Sequence, residues 1–231
     1  MVDPALLDGL PALLGQARFA TYLSTYRSQQ DLALRLYSWN AALSSALWGP
    51  LGVVEVMVRN AIHSQLADRT GRDDWWQDQH LWSQLLDKQR DEIAGAIDTA
   101  ARRIGQPSAD DVVAASNFGL WVGLLSAGIP RDPLHSYETV LWQPRLRRAF
   151  PQYTGGRKQL HSELDSIRKI RNRIAHHEPV FRSNTALVIE LASRIAGYIH
   201  PDAEAYIRGS ERVTAVLTAK QSFIAHGVTY F

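Results

Sequence analysis

The chain of 231 residues contains no cysteine. Disulfides and thiolate nucleophiles are thereby excluded, and the Cys-rich kind of structural zinc site with them. Lysine is scarce as well: Lys88, Lys158, Lys169 and Lys220 are the only ones among 25 Lys and Arg. Net charge of one sign is nearly absent, at +2, so any contact with nucleic acid must come from a local basic cluster. No run of about eighteen apolar residues stands out, which predicts no membrane-spanning helix. The segment Met1–Gly15 carries Asp3 and Asp8 and no basic residue, which is unlike a secretory signal. The expectation is a soluble cytoplasmic protein with no membrane partner. Period-two alternation is also missing, and with it any convincing strand.

What is present is helical periodicity. With 45% hydrophobic and 21% charged residues the chain reads as globular. Helices are predicted over Pro4–Leu14, Gln16–Ser28 and Asp31–Trp48, where Leu32, Leu36, Trp39, Leu43 and Leu47 form an apolar stripe. Gly49-Pro50 punctuates the pattern, and a further helix is expected from Pro50 to Arg69. Leu81–Ile104 reads as one long helix. Ser108-Ala109-Asp110-Asp111 looks like an N-cap, and Tyr137–Phe150 is short and broken by Pro144. Helices follow over Arg157–His177, stopped by Pro179, and Ser183–His200, stopped by Pro201. One or two short helices are expected over Ala203–Lys220, and an extended segment over Gln221–Phe231. The fold class is all-α, with helices joined by short turns.

The residues with the most chemistry are Arg171-Asn172-Arg173-Ile174-Ala175-His176-His177-Glu178-Pro179. On a helix Asn172 and His176 share a face, as do Arg173 and His177, while Ile167, Ile170 and Ile174 form an apolar stripe. Arg171, five residues before His176, is long enough to reach the same side. Imidazole can take a ribose 2′-hydroxyl proton, and guanidinium can stabilise charge on a phosphate. An amide can orient either, so the set suits metal-free RNA cleavage. Equally, basic residues near a helix C-terminus favour the helix dipole and need no other role. A metal site from His161, His176, His177 and Glu178 is a third reading. It is weakened because adjacent histidines on a helix point about 100° apart.

A second cluster, Glu55, Arg59, Asn60 and His63, includes a row at four-residue steps in a very apolar stretch. It is either a partly buried, satisfied set of charges or the lining of a groove. The aromatics Trp75, Trp76, Phe118, Trp121 and Trp142 can stack on bases, but burial in a core is the commoner use of such large side chains.

The Arg171–Pro179 segment, taken with several others, resembles the Abi-like (abortive infection) family of the HEPN superfamily. The others are Leu36-Tyr37-Ser38-Trp39-Asn40, Val54–His63, Trp75-Trp76, Asn117-Phe118-Gly119-Leu120-Trp121 and Phe150-Pro151. The family hallmark, Arg, a polar residue, three more residues and His, falls on Arg171, Asn172 and His176. The resemblance spans about Leu32–His200. It implies a HEPN-like helical bundle with additional helices over residues 1–200, leaving a C-terminal helical tail at 201–231 of unknown role. It also implies a metal-independent endoribonuclease of the toxin or phage-defence type, without cofactor, acting as a homodimer whose two motifs face one cleft. RNA would be the substrate, and an antitoxin a further partner. His176 would be the acid/base, Arg171 the phosphate stabiliser and Asn172 the polar motif residue. Glu55 and Arg59, beside Asn60, would be contributed by an N-terminal helix, and Arg173 and His177 would flank the centre, His177 standing in for His176. Other members of the superfamily have lost catalysis, so the alternative is a non-catalytic module binding RNA, nucleotide or a protein.

Overall fold

The computed structural model describes residues 5–227 and is all-α. Its α-helices are α1 (Ala5–Leu13), α2 (Gln16–Leu23), α3 (Gln30–Thr70), α4 (Gln79–Gln84), α5 (Asp87–Ile104) and α6 (Ala109–Ala115). After these come α7 (Phe118–Gly123), α8 (Arg157–Ala175), α9 (Thr185–Ile199), α10 (Pro201–Ser210), α11 (Val213–Thr218) and α12 (Lys220–His226). Among the described residues the only β feature is an isolated bridge between Gly128 and Ser136. Pro4, expected to open the first helix, lies outside the described residues.

The largest departure from the sequence reading is α3, which runs for 41 residues straight through Gly49-Pro50. An interior proline removes one backbone hydrogen bond and costs about 3 kcal/mol. Leu43, Leu47, Leu51, Val54, Val58, Ile62 and Leu66 are each fully buried, and their three- and four-residue steps keep phase across the proline. Each such side chain contributes about 1.5–3 kcal/mol on burial, so packing on both sides outweighs the local break. As one helix, α3 is also long and apolar enough to cross a membrane by length and composition alone, with an 18-residue window of mean hydropathy 1.5. Of that window, 44% is buried inside the protein.

The chain divides into two compact units. The first comprises Met1–Pro50, Arg171–Glu190 and Ser210–Phe231; the second comprises Leu51–Ile170 and Leu191–Gly209. In the first, Phe19, Tyr22, Leu36, Trp39, Leu43, Leu47, Val180 and Val213 are buried. The segment after residue 210 is tied to α3. Trp39 Nε1 donates to the Val216 carbonyl at 3.0 Å, and the Lys220 ammonium lies 4.7 Å from the centre of the Trp39 ring. Arg35 Nη1 donates to the carbonyls of Ile224 and Ala225 at 2.9 and 2.7 Å, covering carbonyls that the end of α12 leaves without helical partners. Residues 220–226 are therefore helical rather than extended, because their last turn has a cation to close on.

In the second unit the predicted helix Leu81–Ile104 is two helices, broken at Leu85-Leu86. The buried Tyr137 hydroxyl accepts from the Leu86 N–H at 2.8 Å and donates to Gln89 Oε1 at 3.0 Å, replacing a helical bond there. The N-cap expected at Ser108 forms a full capping box with Asp111. Trp75, Trp76, Phe118, Trp121 and Trp142 are all buried, with Trp75 edge-on to both Trp76 and Trp121. These aromatics serve packing.

Candidate functional site

The site grows from the way α8 stops. Leu160, Leu164, Ile167 and Ile174 give the helix its buried stripe. Its last regular bond runs from the His176 N–H to the Asn172 carbonyl at 2.9 Å. The chain then turns. The His177 N–H bonds back to the Ile174 carbonyl at 3.0 Å, and the Glu178 N–H reaches the Arg173 carbonyl at 2.8 Å. His177 has φ of 54°, in left-handed backbone. This pair of bonds around a left-handed residue is the Schellman closure, which usually carries glycine or asparagine at the left-handed position. The helix thus ends at Ala175, two residues before the sequence reading placed it, and His176 and His177 belong to the turn.

The exit from the turn is clasped from two sides. Asn40 on α3, only 6% exposed, accepts through Oδ1 from the N–H groups of Val180 at 2.9 Å and Phe181 at 3.0 Å. Arg173 donates through Nη2 to the Pro179 carbonyl at 2.7 Å and through Nη1 to Ser183 Oγ at 3.4 Å. Its Nε lies 3.5 Å from Glu178 Oε2, close enough for an ion pair but without a hydrogen bond. Arg173 is thereby committed to holding the loop that follows α8.

Between this turn and α3 lies a cleft of about 450 Å³, wholly within the first unit. Tyr37, Asn40, Ala41, Ser44, Ser45 and Trp48 of α3 form one wall, with Tyr22 of α2 beside them. Ile174, Ala175, His177 and Glu178 form the other. Trp48 is 45% exposed, and the Arg171 guanidinium carbon sits 5.3 Å from the centre of its ring, a cation–π distance. Tyr22 is 1% exposed; burial, reinforced by Tyr37 and opposed by Arg18, pushes its phenol up to about 12, so the hydroxyl keeps its proton across the ordinary pH range.

Of the residues singled out in the sequence, His177 lines the cleft directly and Arg171 adjoins it through Trp48. Asn172 is half-buried and His176 is exposed in the turn, and neither is among the lining residues. Among the described residues, the side chains of His176, His177 and Asn172 make no hydrogen bonds. The row Glu55, Arg59, Asn60 and His63 belongs to the second unit. There Arg59 Nε donates to Asn60 Oδ1 at 3.4 Å, while Glu55 is half-buried. His63 Nδ1 accepts from the buried Trp75 Nε1–H at 3.2 Å, which fixes the neutral ring with its proton on Nε2. Burial, assisted by Arg59 and opposed by Asp110 and Asp73, lowers the His63 pKa. His63 is therefore a packing partner of the tryptophan cluster. Among the described residues no three His, Asp or Glu side chains come together to hold a metal ion.

The wall from α3 was not recognised as part of a site from sequence. Its signal was a second stripe, Tyr37, Ala41, Ser44 and Trp48, running beside the leucine stripe at steps of four, three and four. No family model, curated protein or solved structure matches the chain.

Proposed function

We propose that the chain is a metal-independent endoribonuclease of the toxin or abortive-infection type, an Abi-like member of the HEPN class. One observation carries this reading: α8 ends in two exposed imidazoles, one held in left-handed backbone at a cleft whose opposite wall bears Trp48 under the Arg171 guanidinium. Left-handed backbone at a non-glycine residue stores strain, and such strain clusters at functional sites. In the reaction, His176 takes the ribose 2′-hydroxyl proton and the 2′-oxygen attacks the adjacent phosphorus. The bond from phosphorus to the 5′-oxygen breaks, the leaving oxygen gains a proton, and a 2′,3′-cyclic phosphate remains. Arg171 stabilises the charge that builds on the phosphate, and Asn172 orients the imidazole or the phosphate. The protein would act in the cytoplasm as a homodimer, restrained by an antitoxin.

The test is RNA cleavage in EDTA with product ends mapped. His176→Ala is expected to lower the rate about 10²–10⁴-fold, the range for a general acid or base, and Arg171→Ala to act in the same direction. A double variant that still cuts, or products without the cyclic phosphate, overturns the assignment. A second reading, a non-catalytic RNA- or nucleotide-binding module, is favoured by the place of His176 outside the cleft lining. It predicts RNA binding without cleavage and non-toxic expression.

A further inference from the structure

The cleft combines three features that describe one kind of occupant. It offers a partly exposed indole, Trp48, whose ring already carries a cation in Arg171. It is a small pocket, about 450 Å³, at the lower end of the range of about 300–1,000 Å³ for small-molecule sites. It is also ringed by hydroxyls, from Tyr22, Tyr37, Ser44 and Ser45, none of which has a hydrogen-bond partner among the described residues. Tyr22 is the most enclosed of them, 1% exposed as a residue, and its side chain lines the cleft. Hydroxyls that border open space without a protein partner can each donate to and accept from a polar guest.

The geometry points to a seat for a single unpaired nucleobase, stacked on Trp48, with its edge facing the hydroxyls of Tyr22 and Ser44. A flat heteroaromatic ring uses the indole face, and its rim of donors and acceptors matches hydroxyls that can both donate and accept. Because every base has a face to stack and hydroxyls can serve either polarity, the seat accepts purines and pyrimidines alike. A base paired in a duplex cannot enter, so single-stranded RNA is the substrate class. This inference rests on the RNA reading of the same site and sharpens it.

The probes are adenosine 5′-monophosphate, cytidine 5′-monophosphate, ribose 5-phosphate, and a labelled oligoribonucleotide offered single-stranded or as a duplex. Trp39, Trp75, Trp76, Trp121 and Trp142 are buried and Trp82 is half-buried, so the emission of Trp48 is read as the difference between the wild type and Trp48→Phe. Both mononucleotides should quench it and ribose 5-phosphate should not. The single strand should bind and the duplex should not. Trp48→Ala should weaken single-strand binding, read by polarisation, by about 5- to 150-fold, the range for losing one stacked base. If Trp48→Ala fails to fold, Trp48→Phe should retain binding while Tyr22→Phe weakens it. Equal quenching by ribose 5-phosphate, or single-strand binding unmoved in the variants, overturns the seat. Should the wild type cut RNA with KM unchanged in Trp48→Ala, the seat fails and the cleavage stands. Should Trp48-dependent nucleotide binding occur in a protein that never cuts RNA in EDTA, the cleavage fails and the seat stands.

Discussion

Replacing His177 by glycine tests the turn that closes α8. His177 has φ of 54°, where a Cβ approaches the neighbouring carbonyl. An L-residue pays about 1–2 kcal/mol for that conformation. Glycine does not, but it gives up about 0.5–1 kcal/mol of additional chain entropy on folding. The difference makes His177→Gly more stable than the wild type by up to about 1.5 kcal/mol. In a chain of 231 residues, at about 2–4 °C per kcal/mol, that is a rise in Tm of up to about 3–6 °C. Alanine is the necessary control, since it removes the imidazole and keeps the Cβ, and so should gain nothing. Thermal unfolding followed by circular dichroism, with urea midpoints alongside, reads both variants. The reasoning fails if alanine stabilises as much as glycine, for then the gain comes from losing the ring and not from releasing the backbone. It fails equally if glycine destabilises. Under the proposed function, the glycine protein should also bind RNA more weakly than the alanine protein, since both lack the ring and only glycine releases the backbone.

Two further outcomes follow from named contacts. Asn40→Ala leaves the N–H groups of Val180 and Phe181 without their shared acceptor, at about 1–3 kcal/mol each; a loss of about 2–6 kcal/mol in urea unfolding is expected, with faster amide exchange at those two residues, and a change below about 1 kcal/mol would contradict the clasp. For His63, burial sets the folded pKa below the unfolded 6.5, so the unfolded chain binds more protons between the two values. Its contribution to stability is complete above pH 6.5 and is lost as pH falls from there through the folded pKa. His63→Asn keeps an acceptor for Trp75 and cannot take up that proton, so its decline on acidification should be shallower than the wild type's. An unchanged slope would mean that His63 is not responsible, leaving His161, whose pKa burial also lowers, to account for it.

The all-α class was legible because apolar residues recur at helical steps almost everywhere. Two boundaries were not, and for opposite reasons. At Gly49-Pro50 local chemistry said stop, while the phase of the stripe from Leu43 to Leu66 said continue, and burial decided for the stripe. At Leu85-Leu86 the local pattern said continue, and the interruption came from the Tyr137 hydroxyl, supplied 51 residues later. The end of α8 was legible as a centre of chemistry from its residue types. What separates His176 from His177 was not, since the two are alike in sequence and differ only by their places in the closing turn. Arg173 matched Arg171 in the same way until its bonds to Pro179 and Ser183 showed it to be part of the loop. The cleft's other wall, Tyr37 to Trp48, could be recognised only once it was known which segment faces the end of α8.

The tie between Arg35 and residues 224 and 225 crosses up to 190 positions of the chain. A ribosome adding about 5–20 residues per second needs about 10–40 s to cover that distance. The two walls of the cleft are likewise far apart in order of synthesis, Trp48 emerging long before His177. Throughout that interval the nascent chain carries Tyr37 to Trp48 without the turn that faces them. The cleft therefore has both of its walls only after residues 174–178 have been made, and the nascent chain before that point carries one wall alone.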